Sequence, residues 1–381
     1  MFEERFKVRL ASQKRAGLYR NPPEITKRQG KYIFLGNQKV LNFASNDYLG
    51  LGTSSVLQNK VAKNFKTYGT SSSSSRLVSG NFSAICRAEG EYAKYFGYED
   101  ALFFPSGYQA NIGILTAFFD KGDTIIFDKH IHASSVKGMA LSGARFMGYN
   151  HNSMKHLIKR LDAHRETETA VITESLFSMD GDFLDMEGFL KVKRQYGFLS
   201  IVDEAHALGA LGEGGRGLGR SVADITVGTF GKALGLFGAF VLLPNKFKEY
   251  LFNFSSPLIY TTTLPEAHAV SAVDILEIIY KGDGLRAQLR DVSLLMRDGL
   301  KRAGLSVNGD AHIISVEIGN ESRAVAVAGR LLDKGIFVLP ARFPTVPVNK
   351  AILRVSMTAL HTEEDVALFI DTLKEVISAV E

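Results

Sequence analysis

Lys232 follows Thr229-Phe-Gly and is flanked by Gly231, Ala233 and Gly235, so backbone and small groups crowd around it. A lysine in such surroundings is open to desolvation, which lowers its pKa and frees the amine as a nucleophile or Schiff base. Taken alone, the plainer reading is a surface lysine after a strand. Asp203 ends the apolar run Leu199-Ser-Ile-Val-Asp203, and His206 lies three residues on. A carboxylate at the carboxyl end of a parallel strand points into the crevice where α/β proteins bind ligands; a turn or capping carboxylate is the bland alternative. Ser106-Gly-Tyr-Gln109 joins another apolar run to a helical pattern. Gly107 permits a tight turn there, and the free amides of a helix start can bind a phosphate, though a simple turn would use the same residues.

These groups need elements to hold them. Ala101–Phe104, Thr124–Phe127, Ala170–Thr173, Leu199–Asp203, Ile225–Thr229 and Ala239–Leu243 are short and almost wholly apolar. That pattern suits strands buried on both faces of a parallel sheet. Helical patterns such as Gln109–Phe119 and Met154–Leu161 alternate with them, which predicts an open α/β sheet. After about residue 280 the pattern changes. A long helix over Gly284–Ala303 leads to strands at Ile313–Ile318, Phe337–Leu339 and Leu353–Ser356, with a helix at Arg323–Lys334 between them. A final helix is expected after Thr362, which can cap it, with Glu363 and Glu364 favouring its first turn. The expected division is an N-terminal segment over 1–45, a large domain over 46–280 and a small α+β domain over 281–381.

The whole chain has 381 residues, 45% hydrophobic and 22% charged, which excludes a disordered chain. Cys86 is the single cysteine, so no disulfide framework or cysteine-based zinc ribbon forms within one chain. No apolar run approaches the roughly 18 residues a membrane span needs. Charges at Glu3, Glu4 and Arg5 stand where a signal peptide would be apolar, so a soluble cytoplasmic protein is the expectation. The net charge of +5 permits nucleic acid as a partner without arguing for it, since there is no Trp and no Lys/Arg run; an acidic substrate or carrier protein suits it as well. Val202-Asp-Glu-Ala-His206 spells a helicase box, but Gly228-Thr-Phe-Gly-Lys-Ala233 lacks both the spacing and the hydroxyl of a phosphate loop. Gly212-Glu-Gly-Gly-Arg-Gly217 matches a dinucleotide pattern without opening a helix and reads as a flexible loop. His130-Ile-His132 could place two imidazoles on one strand face, with no third metal ligand at a helpful spacing.

A phosphate seat, a carboxylate, a lysine and His132 on successive strand ends are the parts that pyridoxal phosphate requires. In this light the chain resembles the α-oxoamine synthases, pyridoxal-phosphate enzymes of fold type I. The resemblance runs from about Arg20 to His361. It rests on Ser45-Asn-Asp-Tyr-Leu-Gly-Leu51, Ser75-Arg-Leu-Val-Ser-Gly80, Ser106-Gly-Tyr-Gln-Ala-Asn111, His132-Ala-Ser134, Glu174-Ser-Leu-Phe-Ser-Met-Asp-Gly181, Asp203-Glu-Ala-His206, Thr229-Phe-Gly-Lys232 and Leu353-Arg-Val-Ser356, in that order.

The resemblance implies a large domain with a mostly parallel sheet plus a smaller C-terminal α+β domain. It also implies roles. Lys232 would hold the cofactor's aldehyde as an imine and move protons at the substrate α-carbon. Asp203 would pair with the pyridine nitrogen, His206 with the phenolic oxygen, and His132 would stack on the ring. Gly107 and Tyr108 would bind the phosphate through backbone amides, with hydroxyls from Ser178 and Thr229. Thr262 would reach the phosphate of a neighbouring subunit in a homodimer with shared sites. Arg354 would clamp the amino acid's carboxylate, since a guanidinium binds it bidentately, and Asn46 would contact the same region. The implied reaction is a decarboxylative condensation of an amino acid with an acyl thioester.

Ala341-Arg-Phe-Pro-Thr-Val-Pro347 is similar to the branch that joins L-alanine to a pimeloyl thioester in biotin synthesis. By that match Thr345 contacts the product chain with Arg342 nearby, and Arg20 contacts the substrate. Branches using glycine with acetyl-CoA, or serine with a long acyl donor, are the alternatives. The chain departs from the family pattern at Ala341, Phe343, Ser71–Ser75, Ile85 and Ala88. The last three departures are expected to cluster in a loop at the substrate entrance, where they would bear on whether the acyl carrier is CoA or acyl carrier protein.

Overall fold

A computed structural model describes residues 2–380. Its contacts divide the chain into two compact units. One comprises Met1–Ser45, Met179–Gly181 and Gln288–Glu381; the other comprises Asn46–Ser178 and Asp182–Ala287.

The first unit opens with a helix, α1 (Phe2–Arg15), and three short strands, β1 (Lys27–Gln29), β2 (Tyr32–Leu35) and β3 (Gln38–Asn42). The second unit holds helices α2 (Ser55–Tyr68), α3 (Ser83–Phe96), α4 (Gly107–Phe118) and α5 (Ala133–Ser142). Its strands are β4 (Asp100–Phe104), β5 (Thr124–Asp128), β6 (Arg145–Tyr149), β7 (Thr169–Glu174), β8 (Leu199–Asp203), β9 (Ile225–Thr229) and β10 (Ala239–Leu243). They form one seven-stranded sheet in the order β4-β10-β9-β8-β7-β5-β6. Neighbours from β9 to β6 pair in parallel, and β10 runs antiparallel to both β9 and β4.

Successive residues along these strands feed different cores, because side chains alternate across a sheet. Ile125, Ile172 and Ile201 join Ile114 and Leu115 of α4 in one cluster. Their neighbours Ile126, Val171 and Val202 join Phe189 and Val192 of the helix Met186–Tyr196 in another. Burial on both faces explains why the strands read as unbroken apolar runs.

In the first unit, β11 (Val307–Asn308), β12 (Ile313–Gly319), β14 (Leu339–Ala341) and β15 (Ala351–Ser356) form an antiparallel sheet in the order β11-β12-β15-β14. The N-terminal strands form a second sheet, which is completed by β13 (Ile336–Phe337) lying parallel to β3. The last helix, Glu363–Ser378, starts as the sequence indicates. Thr362 Oγ1 accepts the Asp365 amide, and the Asp365 carboxylate accepts the Thr362 amide in return.

Two local expectations change. Helix α4 begins at Gly107 rather than Gln109, because Ser106 caps it and takes the Gln109 amide on its hydroxyl at 3.2 Å. Ile85 and Ala88 lie buried inside α3 rather than in a loop, and both are 0% exposed. These two apolar side chains fill the core of their unit, so they do not form an entrance loop with Ser71–Ser75.

Candidate active site

The carboxyl ends of β7, β8 and β9 lie side by side, with Glu174 in register with Asp203 and Asp203 with Val227. Parallel strands deliver their last residues to one edge, which is where α/β sheets bind ligands. After β9 the chain turns so that the Gly235 amide bonds to the Lys232 carbonyl at 3.0 Å. Gly235 has φ of +68°, and a Cβ there would come within 2.8 Å of the Leu51 backbone. Glycine is therefore required by both conformation and space.

That turn sets Lys232 Nζ 2.9 Å from His206 Nε2. The other nitrogen of this ring, Nδ1, is 2.5 Å from the hydroxyl of Tyr48, a fully buried side chain. Tyr48 also donates to Asn46 Oδ1 at 3.1 Å. Asp203 accepts the Ala205 amide on Oδ1 at 2.9 Å and the Asn111 side-chain amide on Oδ2 at 3.0 Å. Each oxygen keeps a lone pair for a further donor.

His132 caps α5, and its main-chain amide donates to Glu174 Oε1 at 2.6 Å. The other Glu174 oxygen accepts the Ser178 amide at 3.2 Å. Burial, reinforced by the charge of Asp203, pushes the Glu174 carboxyl above its ordinary pKa. Glu204, next to Asp203, takes the amides of Leu218 and Gly219 and is pushed up to about 7 by burial, against the pull of Ser175 and those amides. The glycine-rich run over 212–217 is thus a tethered loop, with Tyr95 donating to the Gly214 carbonyl at 2.6 Å. The ring of His130 stacks on His151 with centroids 4.0 Å apart.

At the start of α4, the Gln109 amide bonds to the Ser106 hydroxyl and the Ala110 amide to the Ser106 carbonyl. The first amides of a helix have no partner within it, which leaves those of Gly107 and Tyr108 to face a ligand. A Cβ on Gly107 would sit 2.9 Å from Thr229 Cγ2. Thr229 Oγ1 itself is buried with no hydrogen-bond partner among the described residues. An orphaned hydroxyl beside two free amides suits a phosphate, and an acceptor-only carboxylate suits a protonated pyridine nitrogen. These residues fit pyridoxal phosphate.

The second unit therefore brings together Lys232, His206, Asp203, His132, Ser178, Thr229, Gly107 and Tyr108; it also carries Asn46 and the exposed Thr262. Arg20, Thr345 and Arg354 belong to the first unit. There Arg354 is buried on β15 and donates to Ser356 Oγ at 2.6 Å. Arg342 donates to the carbonyls of Gly17 and Tyr19, so the stretch leading to Arg20 meets the segment containing Thr345. Sequence reading gave no role to Tyr48, Asn111, Ser134 or Glu174, although each stands in a matching segment. Membership of a matching segment was their signal, and it does not say what a side chain will touch.

A seven-stranded α/β sheet with a lysine, an aspartate and a histidine at its carboxyl edge defines the class. The chain belongs to the aminotransferase class I and II family, whose model matches residues 38–373, and within it to the α-oxoamine synthases of fold type I. It is 37% identical over 369 residues to an 8-amino-7-oxononanoate synthase from Chlorobaculum parvum, covering 93% of this chain and 94% of the relative. Among solved structures it is similar to a serine palmitoyltransferase variant from S. paucimobilis with a bound PLP-myriocin aldimine. That match has a TM-score of 0.92 at 25% identity and covers 98% of this chain and 97% of the other. It is also similar to the 8-amino-7-oxononanoate synthase of Francisella tularensis, with a TM-score of 0.77 at 30% identity, covering 89% and 98%. Among the described residues no helix is long and apolar enough to cross a membrane.

Proposed function

We propose that this protein is a pyridoxal-phosphate-dependent acyltransferase. In this reading it condenses L-alanine with a pimeloyl thioester, releasing the carrier's thiol and carbon dioxide, to give 8-amino-7-oxononanoate for biotin biosynthesis. The observation that carries the reading is the Lys232–His206–Asp203 constellation at the strand ends, in a chain 37% identical to an 8-amino-7-oxononanoate synthase over 93% of its length. The Arg342–Pro347 segment and its contact with the chain before Arg20 support the choice of substrates.

Bound pyridoxal phosphate supplies an electrophilic aldehyde carbon and a ring that takes up the electron pair left at the amino acid's α-carbon. Lys232 would attach the cofactor, and its neutral amine would move the proton at the amino acid's α-carbon. Asp203 would keep the proton on the pyridine nitrogen. His206, oriented by Tyr48, would bond to the phenolic oxygen, and His132 would stack on the ring. The amides of Gly107 and Tyr108 and the hydroxyls of Ser178 and Thr229 would hold the phosphate. Arg354 would clamp the amino acid's carboxylate and Asn46 would contact the same region, while Thr345 would contact the product chain and Arg20 the substrate. The catalytic form is a homodimer in the cytoplasm, each subunit lending Thr262 to the other's phosphate site.

Mass spectrometry of the product with L-alanine and pimeloyl-CoA, against glycine with acetyl-CoA and L-serine with palmitoyl-CoA, tests the reading. A clear preference for either of the other pairs moves the protein to a different branch. Pimeloyl on acyl carrier protein is a further donor, favoured by complementary charge because this chain carries +5 and carrier proteins are acidic. Its advantage over the CoA ester should shrink as salt rises, since screening acts over about 8–10 Å at physiological ionic strength. An advantage that ignores salt removes the electrostatic argument.

A further inference from the structure

Asp203 and His132 are joined by a chain of side chains that fixes where hydrogens sit. An ionised carboxylate only accepts, so the group that Asn111 turns toward Asp203 Oδ2, at 3.0 Å, is its NH₂. The same nitrogen lies 2.9 Å from Ser134 Oγ and spends its second hydrogen there. Ser134 Oγ, having accepted that bond, has its own hydrogen left for His132 Nδ1 at 2.8 Å. The Ser134 main-chain amide also points to Nδ1, at 3.3 Å. Two donors converge on Nδ1, so Nδ1 accepts, and the ring's one remaining proton position is Nε2. Asn111 and Ser134 are buried, at 4% and 0% exposure, where water does not compete for these bonds. His132 itself is only partly covered, and Glu174 holds its main chain.

We infer that Asn111 and Ser134 are positioning residues that hold His132 as the neutral tautomer protonated at Nε2, and that they tie this tautomer to the ionised carboxylate of Asp203. The direction of titration agrees. Packing around the imidazole lowers its pKa, with Asp203 pulling it up and Lys232 pushing it down.

The consequence deepens the function proposed above and rests on its cofactor. A pyridine ring kept protonated by Asp203 carries positive charge, and an imidazolium stacked on it would repel that charge at short range. A neutral His132 avoids the repulsion and keeps an Nε2–H donor available to a bound oxygen. One network would thus hold the proton on the ring at one side and keep its neighbour uncharged on the other.

The test is ring ¹⁵N NMR of the purified protein labelled at histidine, with His132 assigned by the signal lost in His132→Gln. It needs no substrate and no turnover, so it stands apart from the outcome of the product assay. At neutral pH the wild-type ring should show an unprotonated Nδ1 and a protonated Nε2. Ser134→Ala and Asn111→Ala should each draw the two shifts together as the other tautomer becomes populated, and Ser134→Thr, which keeps the hydroxyl, should restore the wild-type pattern. Thermal unfolding identifies any variant that has lost its fold, and in that case the wild-type tautomer and the remaining variant still decide. An Nδ1–H or doubly protonated ring in the wild type overturns the inference. So does a tautomer left unchanged in both folded alanine variants.

Discussion

Lys232 Nζ lies 2.9 Å from His206 Nε2, so the two groups at the centre of the candidate site are hydrogen-bonded to each other. Because His206 is in turn 2.5 Å from the Tyr48 hydroxyl, the lysine's amine sits at the end of a short relay anchored in the protein interior. The position that a ligand oxygen would take beside His206 is thus held by the lysine amine itself. The proposed assignments of Lys232 and His206 draw on this geometry.

Replacing Lys232 by alanine should abolish covalent attachment of pyridoxal phosphate and lower turnover. A positioned acid–base group contributes about 10²–10⁴-fold, and loss of attachment adds to that. The check is the visible absorbance of the purified variant with borohydride trapping. Wild-type absorbance together with wild-type turnover would place the cofactor lysine elsewhere.

Asp203→Asn should leave the fold intact, because its carbonyl still accepts the Ala205 amide, although its NH₂ then faces the NH₂ of Asn111 and that bond is lost. It should nevertheless weaken protonation of the ring nitrogen. A hydrogen bond to a charged group is worth about 1.5–3 kcal/mol, which at ~1.36 kcal/mol per decade is about one to two decades in rate. Exchange of the alanine α-proton with solvent, followed by NMR, measures this directly; an unchanged exchange rate would rule out the assigned role.

Tyr48→Phe removes the bond to His206 Nδ1 without changing the packing of a fully buried ring. Loss of a typical hydrogen bond costs about 0.5–1.5 kcal/mol of stability. Because His206 then loses its orientation toward Lys232, cofactor affinity should fall as well. Urea unfolding and pyridoxal-phosphate titration read the two effects separately, and unchanged affinity would show that His206 keeps its place without Tyr48.

His151 supplies a pH-dependent term. Partial desolvation lowers its pKa, but Asp128 at 2.9 Å and Asp182 at 2.9 Å outweigh this and raise it from 6.5 to about 10. The ring of His130 also stacks on it. A histidine held protonated by folding adds stability that is fully present below about pH 6.5 and is lost as pH rises toward 10. The gap in unfolding free energy between wild type and His151→Gln should therefore narrow from pH 7 to pH 10. A gap that stays constant or widens would show that the ring is not charged in the folded protein.

Much of this was legible in the sequence. The apolar runs marked the buried strands because each needs two covered faces. Thr362 before the last helix announced its cap, since a hydroxyl there meets an amide only residues away. The lysine after β9 and the aspartate ending β8 could be placed because strand ends are local features that share one edge in a parallel sheet. Contacts between distant segments were decided by tertiary structure alone. β13 adds to a sheet begun some 300 residues earlier, at Gln38–Asn42. Ile85 enters a core instead of lining an entrance, Tyr48 reaches His206 across 158 positions, and Asn111 reaches Asp203 across 92. Residue type and spacing report what a side chain can do and which neighbours its own element supplies. Which donor finally meets which acceptor depends on how the elements pack, because burial requires every polar group to find a partner and only the folded chain supplies one.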